Sequence, residues 1–177
     1  TPYDAKGLMI SAIIDNNPVL FVEHRWLHKT TGHVPEELYS IPIGKGVIRR
    51  KGEDVTIVAI SYMLVEALRA AEKLQKDGIY AEVVDLRSLK PFDGEIILES
   101  VAKTGRLLIA DTGCKTGSVA SEIAAFAAEN AFHLLKKPVK RVCCPDTPTP
   151  TSDVLEKSFY RTDEDIYNEA VKMVNGE

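Results

Sequence analysis

From Gly46 onward, short apolar runs alternate with amphipathic stretches, and that alternation predicts the architecture. GVIRR (Gly46–Arg50), DVTIVAIS (Asp54–Ser61), YAEVVDL (Tyr80–Leu86), GRLLIAD (Gly105–Asp111) and VKRVCC (Val139–Cys144) have the length and β-branched content of buried strands. Met63–Lys76, Asp93–Lys103, Ser118–Leu134 and Asp163–Val174 carry apolar residues at helical spacing. Strands separated by whole helices need crossover connections, which make a mostly parallel sheet covered on both faces. Five strands are too few for a barrel, so the predicted fold is α/β, a three-layer α/β/α sandwich. GVIRR is short, basic and joined to the next run by only Lys51-Gly52-Glu53, and it is expected as an antiparallel edge strand whose charge discourages aggregation.

The first 45 residues follow another pattern. Asp4–Pro18 predicts a helix with Leu8, Ile10, Ala12, Ile13 and Ile14 on its apolar face, ended by Asn16-Asn17-Pro18. Pro18–His24 (PVLFVEH) reads as a buried strand. A helix and one strand cannot cover both of their own faces, so residues 1–24 are expected to be the end of a preceding domain, residues 25–45 a linker arm, and residues 46–177 the domain proper. The chain opens on Thr1, which fits processing or a piece of a longer polypeptide.

Composition excludes more than it identifies. With 45% hydrophobic and 27% charged residues, the 177-residue chain can bury a core and is neither disordered nor fibrous. Residues 146–177 hold eight acids and three bases, a net of −5 within a total of −4, so the preceding part sums to +1. The basic clusters Lys45/Arg49/Arg50/Lys51 and Lys136/Lys137/Lys140/Arg141 carry no interleaved aromatics, and no nucleic-acid partner is expected. No run approaches a membrane span and no signal peptide is recognisable. Three cysteines, Cys114, Cys143 and Cys144, lack metal spacing, which fits a reducing cytoplasm or a mitochondrial matrix.

Ligands of open α/β sheets bind beyond the carboxyl ends of the strands. Asp111–Ser118 (DTGCKTGS) opens a helix there, but its spacing matches neither a Walker loop nor G-x-G-x-x-G, and the structural reading, a turn capped by Ser118, is preferred. Arg87, in DLRSLKPFD, is placed to pair with Asp85, Asp93 or an anion, and Asp93 to cap the next helix. Pro145, Pro148 and Pro150 fix a rigid exit from the last strand. Cys144 has no nearby base and reads as a small buried hydrophobe. His24, His28, His33 and Glu23 give a weak metal pattern interrupted by Gly32 and Pro35.

Six stretches in order, DAKGLMISAIIDNNPVLFVEH, VPEELYSIPIGKGVIRRKGEDVTIVAIS, VVDLRSLKPFD, ESVAKTGRLLIADTG, ASEIAA and PDTPTP, resemble the C-terminal half of the β subunit of thiamine-diphosphate-dependent 2-oxoacid dehydrogenases, over essentially the whole chain. The resemblance implies a transketolase C-terminal domain over Val34–Glu177, preceded by the closing elements of a pyrimidine-binding domain. It implies a function in assembly and partner docking, with an α subunit, a second β subunit and a lipoyl-bearing acyltransferase as partners. Thiamine diphosphate and magnesium would belong to the full enzyme, held by segments outside this chain, so no catalytic residue is assigned. It further implies a potassium site built partly from carbonyls of Ala12, Asp15 and Asn17, its other donors lying outside the chain. Two stretches depart from the family. Lys136-Lys137-Pro138 stands where an acidic residue is common, which disfavours carrier docking by an acidic patch, and DTGCKTGSVASEI replaces a Glu- and Gly-Gly-rich loop. Other readings are the C-terminal domain of a transketolase-type or deoxyxylulose-phosphate-synthase-type transferase, or a free-standing ligand-binding α/β domain.

Overall fold

The computed structural model describes residues 1–176. Five strands form one sheet: β1 (Val47–Arg50), β2 (Val55–Ala59), β3 (Ala81–Asp85), β4 (Leu107–Cys114) and β5 (Lys140–Cys144), in the order β1-β3-β2-β4-β5. All neighbours are parallel except β1, which runs antiparallel to β3 with Val47 opposite Asp85. The crossovers are α2 (Met63–Lys76), α3 (Gly94–Thr104) and α4 (Val119–Ala131), and the chain closes with α5 (Asp153–Phe159) and α6 (Asp163–Asn175). The predicted three-layer sandwich with one antiparallel edge is the fold observed.

Strand periodicity divides the core in two. Val55, Ile57, Val83, Leu108 and Val142 face α2 and α6, where Leu74, Ile166 and Met173 meet them. Val58, Val84, Leu107 and Ile109 face α3 and α4, against Ile97, Val101 and Ile123. Each such side chain, removed from water, contributes about 1.5–3 kcal/mol, so the two faces together dominate stability. The second face contains polar groups as well. Thr56 Oγ1 meets Ser100 Oγ at 2.7 Å and Thr104 Oγ1 at 2.8 Å, and buried Glu82 is paired with Lys103.

The N-terminal segment departs from expectation. Helix α1 (Pro2–Ile14) forms, with Thr1 accepting the Asp4 N–H, but its buried stripe is Asp4, Gly7 and Ser11. Ile13 and Ile14, on the apolar face read from the sequence, are 72% and 67% exposed. The small residues let the arm approach: Ser11 Oγ lies 3.0 Å from the Gly7 carbonyl and 2.5 Å from that of Ile41, and accepts the Ile41 N–H at 3.1 Å. Tyr39 stacks on Tyr3 at 4.4 Å, and Lys6 donates to the carbonyls of Glu36 and Glu37. Pro18–His24 is not a buried strand. It joins no ladder, and Leu20 and Val22 are 89% and 76% exposed, because none of the described strands pairs with it. Two short 3-10 turns, Arg25–Lys29 and Phe132–Leu134, and helix α5 were not anticipated.

Gly52 turns β1 into β2 against the chain at the start of β3. A Cβ there would lie 2.2 Å from the Ala81 carbonyl carbon and 2.4 Å from the Glu82 nitrogen, so backbone would have to move. Gly52→Ala is expected to cost about 2–4 kcal/mol in urea unfolding, by overpacking against atoms that cannot change rotamer. Gly117→Ala, at φ +70 in open space, is expected to cost only about 1–2 kcal/mol, the conformational penalty alone. Equal losses would refute the steric account.

Candidate functional site

The carboxyl ends of the strands are closed by the chain's own charges. Arg87, at the end of β3, has φ 56, a left-handed conformation costly for a side chain of its size. Its guanidinium holds that turn: Nε donates to the Lys45 carbonyl at 3.0 Å, Nη2 to that of Gly46 at 3.2 Å, and Nη1 to Asp4 Oδ1 at 3.0 Å. Arg49 of β1 completes the junction, donating from Nε and Nη2 to Asp85 Oδ2 at 3.0 and 2.8 Å and from Nη2 to Asp4 as well. Asp93 accepts the Gly46 N–H at 3.0 Å and caps α3 through Ile96, as expected. Arg87 therefore pairs with Asp4, which sequence reasoning missed; Asp85 pairs with Arg49, and Asp93 receives backbone N–H groups.

Electrostatics follow from this geometry. Burial alone would push the Asp4 carboxyl up, but hydrogen bonds from Thr1 and Arg87 and the charge of Arg49 outweigh it and hold the group at about 2. Asp85 moves the other way, raised by burial against the pull of Arg49, with the charge of Asp4 adding to the rise.

The β4-to-α4 turn is also self-satisfied. Asp111 Oδ1 accepts the Gly113 N–H at 3.0 Å and Oδ2 that of Ala120 at 3.2 Å, so a carboxylate occupies the helix N-terminus where an external anion would bind. Ser118 is the residue at the cap but makes no side-chain cap bond. Thr116 donates from N and Oγ1 to Asp146 at 2.8 and 2.7 Å, tying this turn to the proline-rich exit of β5 and holding the Asp146 carboxyl below its ordinary range. That exit and α5 border a shallow open depression of about 270 Å³ lined by Pro145, Pro148, Pro150, Leu155 and Phe159. On α4, Phe126 packs edge-on against Phe92 at 5.2 Å and over Gly94, so the broad apolar face of that helix is largely taken up within the chain.

Ala12, Asp15 and Asn17 lie together at the end of α1. The last bond of the helix runs from Asp15 N to the Ser11 carbonyl at 3.1 Å, which leaves the carbonyls from Ala12 onward beyond the helical ladder. Asp15 Oδ1 accepts Asn17 N at 2.8 Å and Nδ2 at 3.0 Å, which lowers the Asp15 carboxyl and fixes the turn. Hard carbonyl oxygens on an exposed turn suit a monovalent cation. Among the described residues no group of three or more His, Cys, Asp or Glu side chains is placed to hold a metal. Of the histidine cluster, His24 stacks on Tyr62 at 5.3 Å and His28 faces Glu23 at 3.7 Å. No helix among the described residues is long and apolar enough to cross a membrane.

The family model for the transketolase C-terminal domain matches residues 44–166. The chain belongs to the transketolase C-terminal-domain family. It is 46% identical over 176 residues to the β subunit of acetoin:2,6-dichlorophenolindophenol oxidoreductase from Cupriavidus necator, covering 99% of this chain and 52% of that one. It is 43% identical over 175 residues to the pyruvate dehydrogenase E1 component β subunit of Bacillus subtilis, covering 98% and 54%. The chain thus spans about half the length of the curated relatives it matches. A solved split-gene transketolase, an inactive β4 tetramer, superposes with a TM-score of 0.67 at 32% identity over 77% of this chain and 43% of that one.

The Asp4 junction makes a pH-dependent prediction. Because Asp4 titrates near 2 in the folded chain rather than at 3.8, its contribution is complete above about pH 5 and is lost as pH falls toward 2, while Asp85, shifted upward, returns part of it by taking its proton earlier. Asp4→Asn is expected to release α1 at a cost of roughly 2–3 kcal/mol, by removing charge-assisted bonds from two arginines. Protection factors of the amides in residues 5–15, taken relative to intrinsic exchange rates at the same neutral pH, should then fall well below those of the parent chain. Unchanged protection in Asp4→Asn would contradict the junction.

Proposed function

We propose that this chain is the C-terminal assembly and partner-docking half of the β subunit of a thiamine-diphosphate-dependent 2-oxoacid dehydrogenase and is inactive alone. One observation carries the reading: the chain aligns almost end to end with about half of the β subunits of an acetoin oxidoreductase and of a pyruvate dehydrogenase E1 component. On this reading residues 1–24 end the preceding pyrimidine-binding domain and residues 25–45 are the linker. The exposed apolar side of α1, with Leu20 and Val22, fits that division, because it is a surface made to be covered.

The residues present do not fit the cofactor. A diphosphate needs free cations or helix N–H groups and magnesium needs an oxygen cluster. Here Arg87 is engaged by Asp4 and two carbonyls, Asp111 accepts an N–H at the α4 N-terminus, and no metal-holding group of acidic side chains occurs among the described residues. No catalytic step is therefore assigned to this chain. Thiamine diphosphate and magnesium belong to the complete assembly, in which an α subunit, a second β subunit and a lipoyl-bearing acyltransferase are the partners. The proline-rich exit with exposed Val154 and Leu155 offers rigid apolar surface for a second β subunit. The inactive β4 form of the split-gene transketolase supports β-to-β assembly without activity.

Titration calorimetry of the chain with thiamine diphosphate and magnesium is expected to show no micromolar binding, since the preorganised groups lie elsewhere. Tight binding would overturn the reading.

The carbonyls of Ala12, Asp15 and Asn17 would supply part of a potassium site. Replacing sodium by potassium is expected to change the melting temperature by no more than about one degree, because a ligand stabilises only as far as it saturates the native state. A potassium-specific shift of many degrees would show that the site is complete.

A further inference from the structure

At the carboxyl ends of β4 and β5, Cys114 lies directly opposite Cys144 in the parallel ladder. Ala110 pairs with Val142 and Cys114 with Cys144, four residues along β4 against two along β5, so a bulge in β4 restores the register just where the two thiols meet. Neighbouring strands lie about 4.7–4.9 Å apart, and a disulfide spans Cα separations of about 4.4–6.8 Å. Directly paired residues also project from the same face. The pair is clamped on its outer side, where Lys115 N donates to the Cys144 carbonyl at 3.0 Å and Thr116 to Asp146 at 2.8 and 2.7 Å.

We infer that Cys114 and Cys144 are a reactive thiol pair, a modification site that closes to a disulfide by exchange with a low-molecular-weight disulfide of the glutathione type. The two thiols have complementary exposure. Cys114 is open to solvent and Cys144 is 2% exposed, so a reagent meets the first and only the first can hand the bond to the second. The Cys144 thiol is pushed up by burial, and Cys114 and Asp111 stand near enough to raise it further. Cys143 is excluded by strand geometry: its side chain faces α4, on the other side of the sheet, among Ile109 and Ile123.

In the first step the Cys114 thiolate attacks one sulfur of the reagent, forming a mixed disulfide and expelling one thiolate, which takes up the proton Cys114 has lost. In the second, Cys144 attacks the Cys114 Sγ, the mixed bond breaks, and the second thiolate leaves and takes the proton lost by Cys144. The two protein thiols are oxidised by two electrons and the reagent is reduced to two free thiols. The new bond fastens the β4 bulge to the first residue before the Pro145–Pro150 exit. Disulfides of reducing compartments are characteristically transient and redox-sensing, which suits a site with one exposed and one buried partner.

The test is to incubate the full chain with glutathione disulfide, quench with an alkylating agent and read intact mass and a peptide map. Two of the three thiols should be lost, with the chain lighter by two hydrogens and a Cys114–Cys144 peptide recovered. Cys143→Ser should close as the parent does, and Cys114→Ser, at an exposed position, should lose no thiol under the same exposure. A lasting glutathione adduct on Cys114, a bond between two chains, a bond that includes Cys143, or three thiols left intact would each overturn the inference.

Discussion

The Asp4 carboxylate ties helix α1 to the sheet domain. Asp4 lies in the first turn of α1, yet its two arginine partners are in the sheet domain: Arg49 on the edge strand and Arg87 beyond β3. Removing it would take one partner from each of two guanidinium groups, which keep Asp85 and the carbonyls of Lys45 and Gly46, and removing either arginine would leave a carboxylate only 5% exposed with fewer donors. Such a group is tolerated only because several donors converge on it. Everything at that edge depends on the convergence: the left-handed turn at Arg87, the placement of Lys45 and Gly46 against α3, and the orientation in which α1 presents its apolar side.

The same economy explains why the usual ligand end of an α/β sheet holds none of its expected anion sites open. The strand order reverses between β3 and β4 on either side of β2, the place where such sheets commonly bind ligands. Here Asp111 fills the helix N-terminus and Arg87 is spent on Asp4, so charges that could serve a substrate serve the backbone instead. The exposed large apolar residues cluster instead on one side of α1, in the extended residues after it, and on α5 beside the proline-rich exit.

Most of the sheet domain was legible in the sequence because strand and helix periodicities differ and the crossovers are long. Met63–Lys76 was placed to the residue, and the edge strand was recognised from its charge and its short connection. What escaped notice depends on partners distant in sequence. Nothing local to Asp4 marks Arg49, 45 residues away, or Arg87, 83 residues away. The side of α1 that the chain buries was not legible because Gly7 and Ser11 fit the closeness of Ile41, a contact that apolar periodicity does not encode. Helix α5 has seven residues and leaves Val154 and Leu155 exposed, so it carries no amphipathic signal to find.

Pro18–His24 shows how far a local pattern can carry. PVLFVEH has the composition of a buried strand, and composition reports what a segment needs rather than whether its neighbours are present. A strand is completed by hydrogen bonds to another chain segment, whereas a helix satisfies its own backbone. That difference is why α1 stands as a helix with its apolar side uncovered, while the segment directly after it, equally apolar, stays extended and exposed. The junction at Asp4 then does more than fasten a helix: through α1 it sets where the extended segment leaves the edge of the sheet domain.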